Sequence, residues 1–191
     1  LVLLLIYLNS RGMKESIKFL MPIFLGFFAT HIAIIVYGIA VHGSQLPSMI
    51  HQTITESKKA VHFLGFGAVI AILLRAYSLG SGTYTGLEAV SNNVNVLAAP
   101  RVKTGKWTMM YMASSLSLIA GGIIVLYLLW HVQPVNGMTL NAVVFRDILG
   151  TSYWGHIGLV TLLIFEAGLL FVGANTGFLG GPAVLANMPQ D

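Results

Sequence analysis

From Phe19 to Val41 the chain carries no Asp, Glu, Lys or Arg, and that run restricts the fold more than any other feature. An apolar helix of roughly 20 residues matches the thickness of a bilayer's hydrocarbon core. Further apolar segments cover 64–97, 107–131 and 154–178, and residues 1–8 read as the last turns of another span. Hydrophobic residues make up 56% of the chain and charged ones 8%, with a mean hydropathy of +0.82. A water-soluble core has no way to hide that much apolar surface. The expected class is an all-α, multi-pass integral membrane protein, with the lipid bilayer as its first partner.

Charge placement orients the spans. Arg11, Lys14 and Lys18 fall in one short polar turn, and Arg101, Lys103 and Lys106 in a second. Positive residues flanking membrane helices favour the cytoplasmic side, so both turns are expected inside a cell membrane. Six positives then lie inside, three outside, and Arg75 within an apolar run, where it pairs with an acid or snorkels to the headgroups. From Phe19 the spans alternate outward and inward. Because the basic residues cluster beside spans, they serve topology rather than nucleic acid. The chain has no cysteine, which excludes disulfides and thiolate metal sites. His51 and His62 lack a third ligand at metal-binding spacing, so neither metal nor cofactor is expected. The opening Leu-Val-Leu-Leu-Leu-Ile has no initiator Met and does not resemble a signal peptide, so the sequence reads as an internal fragment.

Between the spans, Thr53 to Phe63 has the spacing of an amphipathic helix lying on the outer surface. Leu140 to Leu149 reads as a second, shorter surface helix. Trp107, Tyr153 and Trp154 mark membrane interfaces. Ser114, Ser115, Ser117, Gly121 and Gly122 form a small-residue packing face on the 107–131 span.

The span over 64–97 is interrupted. Gly80, Ser81, Gly82, Thr83, Tyr84, Thr85 and Gly86 form a glycine- and hydroxyl-rich stretch, followed closely by Glu88. Glycine weakens helix, and irregular backbone at membrane depth survives only in protein or beside a watery cavity. A break over 80–86 is therefore the candidate binding site. The competing reading is a tight helix contact between small residues. Thr85, Glu88 and Asn92 recur at spacings that share one helical face. Free carbonyls closing the first half-helix and free N–H groups opening the second can hold a cation and an anionic group respectively. Glu166, near the middle of the last span, is expected to face the bundle, either protonated or hydrogen-bonded. Glu88 and Glu166 are the proton-coupling candidates. His31 reads as a relay group or as hydrogen-bonded packing.

Several motifs occur in a recognisable order. Asn9, Gly12, Lys14 and Ser16 come first, followed by Thr85-Gly86-Leu87-Glu88 and Pro100-Arg101. Thr176-Gly177-Phe178 and Gly181-Pro182 with Leu185-Ala186-Asn187-Met188 and Asp191 come last. This order resembles the amino acid–polyamine–organocation (APC) superfamily of permeases, although Ala99 stands where many members have Glu. The resemblance implies a LeuT-like five-plus-five inverted-repeat fold, of which this chain holds the end of helix 4 through helix 8. The glycine-rich stretch is then the unwound middle of helix 6.

Within the superfamily, Thr85 to Asn92 looks most like the branch containing KimA-type potassium–proton symporters and relatives labelled amino acid permeases. The first likeness implies that Thr85 and Glu88 coordinate a cation or carry a proton. The second implies that the Gly80–Gly86 backbone binds a zwitterion, although Thr85 separates Tyr84 from the Gly-x-Glu element. The leading expectation is a proton-coupled permease for an amino acid or a related small cationic or zwitterionic solute. Potassium–proton symport is the alternative. An ion channel, a non-transporting receptor and a homodimeric assembly stay open. No His-Glu-x-x-His, Gly-x-Ser-x-Gly or paired catalytic carboxylates occur, so no enzyme is expected.

Overall fold

A computed structural model describes residues 6–7, 13–92, 94 and 97–186. Side chains are described within these ranges except at 13–17, 83–85, 88, 89, 92 and 176–186. The described residues are helical, with no strand among them. The order is α1 (Met13–His42), a 3₁₀ turn (Gly43–Gln45), α2 (Leu46–Leu64), α3 (Phe66–Gly80), a second 3₁₀ turn (Ser81–Tyr84), α4 (Thr85–Asn92), α5 (Arg101–Leu129), α6 (Leu140–Leu149) and α7 (Tyr153–Ala186). Among the described residues, helices within Lys18–Leu64, Arg101–Leu129 and Tyr153–Asn175 are long and apolar enough to cross a membrane. Phe66–Gly80 is a shorter apolar helix. The first eight residues fall mostly outside the described ones.

Glycines record how the long helices approach one another. A Cβ on Gly26 of α1 would overlap the Phe165 ring of α7, and one on Gly168 would strike Ile23. Gly122 of α5 lies against Ile35, and Gly38 of α1 against Leu126. Residue numbers rise together along α1 and α5 but oppositely along α1 and α7. Thus α1 and α5 run parallel and α7 runs antiparallel to both, the direction pattern of alternating crossings.

On α5 the inward stripe is Ser115, Ile119, Gly122 and Leu126, spaced at three and four residues. Ser114, Ser117 and Gly121 are exposed, so only part of the expected small-residue face packs. Arg75 is exposed on α3 and makes no ion pair among the described residues.

The clearest departure from expectation is α6. It is not a surface helix: Ala142, Val143, Val144, Phe145 and Ile148 are buried, Val144 and Phe145 completely. The core gathers these with Ile34 and Ile35 of α1, Ile119 and Leu126 of α5 and Leu162 of α7. Ten residues are too few to span a bilayer, yet this apolar content is too high to leave in water. Wedging the helix into the end of the bundle resolves both. Thr139 caps it, its hydroxyl accepting from the Ala142 N–H at 3.2 Å, while Arg146 and Asp147 keep the exposed side.

Two boundaries also move. The amphipathic helix begins at Leu46 rather than Thr53, because Pro47 occupies its first turn, where a missing N–H costs nothing. The last helix continues through Gly180, Gly181 and Pro182 to Ala186 instead of ending at Phe178.

Candidate functional site

The wedge brings four polar side chains together inside an otherwise apolar core. His31 comes from α1, Tyr127 from α5, Asn141 from α6 and Glu166 from α7. His31 is wholly buried. Its ring stacks on Phe27, with centroids 3.9 Å apart, and meets Phe145 edge-on at 5.4 Å. Those contacts leave the imidazole little rotational freedom.

Hydrogen-bond accounting assigns the protons. The Phe27 carbonyl can only accept, so its 2.9 Å contact with His31 Nδ1 puts a hydrogen on Nδ1. In the neutral ring Nε2 is then an acceptor, and it faces Glu166 Oε1 at 3.4 Å. A carboxylate also accepts only. The two atoms therefore attract when one proton is present, as imidazolium with carboxylate or as neutral ring with carboxylic acid. Without it, two sets of lone pairs face each other and the pair carries one negative charge in a costly setting. The geometry of the contact suits a single proton between the two groups.

Asn141 and Tyr127 position that pair. Asn141 Nδ2 donates to the same Glu166 oxygen, and the Tyr127 hydroxyl donates to Asn141 Oδ1. This direction of donation fixes which way the amide points. Neither Asn141 nor Tyr127 was among the residues singled out from the sequence. The usable signal was Asn141 itself: it shares a stripe with Phe145 and Ile148 at spacings of four and three, an amide where an apolar residue was due.

At the glycine-rich stretch, α3 ends at Gly80, the 3₁₀ turn covers Ser81–Tyr84, and α4 begins at Thr85. The side chains of Thr83, Tyr84, Thr85 and Glu88 lie outside the described residues. Ser81 is exposed. A Cβ on Gly80 or Gly82 would meet nothing within 4 Å, whereas one on Gly86 would come within 2.7 Å of Met112 on α5. Close packing therefore accounts for Gly86 and not for the other two. The α4 helix packs on α5 and α7. Beside it lies a mostly apolar cavity of about 360 Å³ lined by Phe24, Phe28, Leu87, Met112 and Leu169, with Ser115 as a polar side chain in its wall. Glu166 lies in the His31 cluster. No group of three metal-binding side chains occurs among the described residues.

The chain is similar to the Potassium transporter KimA of Bacillus subtilis (strain 168), with 27% identity over 194 residues. The match runs along the whole of this chain and 30% of that protein, so the chain spans less than a third of its relative's length. No family model matches, and no solved structure does. Taken with the three apolar helices, the similarity relates the chain to membrane transporters.

Proposed function

We propose that the chain is part of a secondary active transporter of the APC superfamily with a LeuT-like architecture. It moves a small cationic or zwitterionic solute, such as an amino acid, by proton-coupled alternating access across the cell membrane. The observation that carries this reading is the contact of buried His31 with Glu166, 3.4 Å apart on two helices of opposite direction, which is favourable when the pair holds one proton. A coupling proton must change how helices fit together when it binds. Here one acceptor comes from α1 and the other from α7, so loading and unloading the pair alters their contact directly.

The solute site in this proposal is the Gly80–Gly86 stretch with Glu88. There the α-helical path gives way to a 3₁₀ turn, at the place the family resemblance gives to the unwound middle of helix 6. A second reading takes potassium as the cargo, favoured by the name of the relative. In that case oxygens at Thr85 and Glu88 replace part of the ion's hydration shell.

The test is uptake into vesicles containing the protein with any flanking sequence it natively carries. Labelled amino acids and rubidium-86 are offered separately under an inward proton gradient. Accumulation that collapses with a proton uncoupler, and in Glu166→Gln, supports the proposal and identifies the cargo. Accumulation indifferent to the uncoupler refutes the coupling, and unitary currents refute alternating access.

A further inference from the structure

A proton shared by His31 and Glu166 has three places to sit, and Asn141 discriminates among them. On Glu166 Oε2 it leaves Oε1 and His31 Nε2 facing each other at 3.4 Å with lone pairs on both sides. On Oε1 it makes that atom the hydroxyl of a carboxylic acid, which must donate to His31 Nε2 while accepting from Asn141 Nδ2. The oxygen of an acid hydroxyl is a weak acceptor, because its lone pair is drawn into the neighbouring carbonyl. On His31 Nε2 the proton leaves a carboxylate, whose Oε1 has a lone pair for each of the two donors. The third arrangement alone satisfies His31, Asn141 and Oε1 together.

The surroundings of His31 suit that charge. Nδ1–H already donates to the Phe27 carbonyl at 2.9 Å, so an imidazolium has a partner for both of its N–H groups. The Phe27 ring stacks on the imidazole at 3.9 Å with the planes 30° apart, and the face of an aromatic ring attracts a cation. From α7 the ionisable group that meets His31 is Glu166; from α5 it is Tyr127, one amide further away. On α6, Arg146 and Asp147 pair with each other on the exposed side. The amide itself is not free to turn over, because the Tyr127 hydroxyl donates to Asn141 Oδ1 and so holds Nδ2 toward the acid.

We infer that Asn141 places the proton of this cluster on His31 Nε2, so that Glu166 stays a carboxylate and the imidazole gains and loses the proton. Asn141 is a positioning residue: it acts through the Glu166 oxygen and touches neither the proton nor the nitrogen that holds it. At 3.4 Å the contact is longer than the roughly 2.7–2.9 Å of charge-assisted bonds, so protonation has room to draw α1 and α7 together. That this proton is the coupling proton rests on the transport reading above; its position within the cluster does not.

Nuclear magnetic resonance tests it, on the protein with any flanking sequence it natively carries, in lipid vesicles, with labelled histidine nitrogens and glutamate carboxyl carbons. Loss of signals in His31→Phe and in Glu166→Gln assigns them. As pH is lowered, the bare Nε2 signal of His31 should give way to a second N–H signal while the Glu166 carboxyl carbon keeps the shift of a carboxylate. In Asn141→Leu the leucine continues the apolar stripe of Phe145 and Ile148, so the fold should hold. There the proton should move to the acid: Nε2 stays bare and the carboxyl carbon takes the shift of a carboxylic acid. An acid shift with bare Nε2 in the unaltered protein overturns the inference, as does a cluster in which neither group takes a proton while folded. An Asn141→Leu variant that keeps the Nε2–H signal overturns the role of Asn141. A proton found on His31 together with vesicle uptake indifferent to an uncoupler refutes the transport reading and leaves this assignment standing.

Discussion

Glu166→Gln and Glu166→Leu strip the same cluster to different degrees. Glutamine is close in shape to a protonated glutamate. Asn141 Nδ2 and His31 Nε2 meet the same Glu166 oxygen, so an amide there satisfies one of them: its Oε1 accepts from Asn141 Nδ2, or its Nε2 donates to His31 Nε2, which the Phe27 contact leaves as an acceptor. One of the two bonds survives, so glutamine should cost about 1–2 kcal/mol of unfolding stability. Leucine fills the space but strands two partners. A buried donor or acceptor left without a partner costs about 1–3 kcal/mol. His31 is wholly buried and bears the upper part of that range, while half-buried Asn141 bears the lower part. Together they set an expected loss of about 2–4 kcal/mol. Reversible unfolding in mixed micelles at fixed pH measures both variants. In parallel, vesicle uptake should lose its response to the proton gradient in Glu166→Gln, because an amide has no proton to release. If glutamine destabilises as much as leucine, the pair does not hold the proton assigned to it and the hydrogen-bond accounting fails.

Three further outcomes follow from packing and capping. Gly26→Ala places a methyl group on the Phe165 ring and should cost about 1–3 kcal/mol; Phe165→Leu should recover part of it in a double-mutant cycle, and strict additivity would argue against the α1–α7 contact. Phe145→Ala removes the largest fully buried side chain of α6 and should cost about 3–5 kcal/mol of unfolding free energy; a change below about 1 kcal/mol would return this helix to the surface. Thr139→Ala should cost about 1 kcal/mol through loss of the cap on the Ala142 N–H, measurable as faster hydrogen exchange in the first turn of α6.

The long helices were legible because their cause is local. The length of apolar chain, set against bilayer thickness, locates α1, α5 and α7 without reference to any neighbour. Charge clusters add direction, and the antiparallel contact of Gly26 with Phe165 agrees with it. What stayed hidden depends on a neighbour's position. The apolar residues of α6 were visible as a pattern, but a ten-residue helix between polar turns looks the same lying on a membrane as wedged into a bundle. Only α1, α5 and α7 together decide between them, by leaving a gap that Val144 and Phe145 fill.

The polar cluster was hidden for the same reason. His31 and Glu166 each stood out as ionisable groups in apolar runs, and each admitted a bland reading on its own. Their relation exists only across the 135 residues that separate them in the chain, and Asn141 joins them only once α6 is buried. An isolated acid in a membrane helix is a cost; an acid that meets an imidazole acceptor and an amide donor is a defined place for one proton. The step from the first description to the second is made by the burial of α6, which is why Phe145→Ala should disturb proton coupling even though its side chain neither gives nor takes a proton.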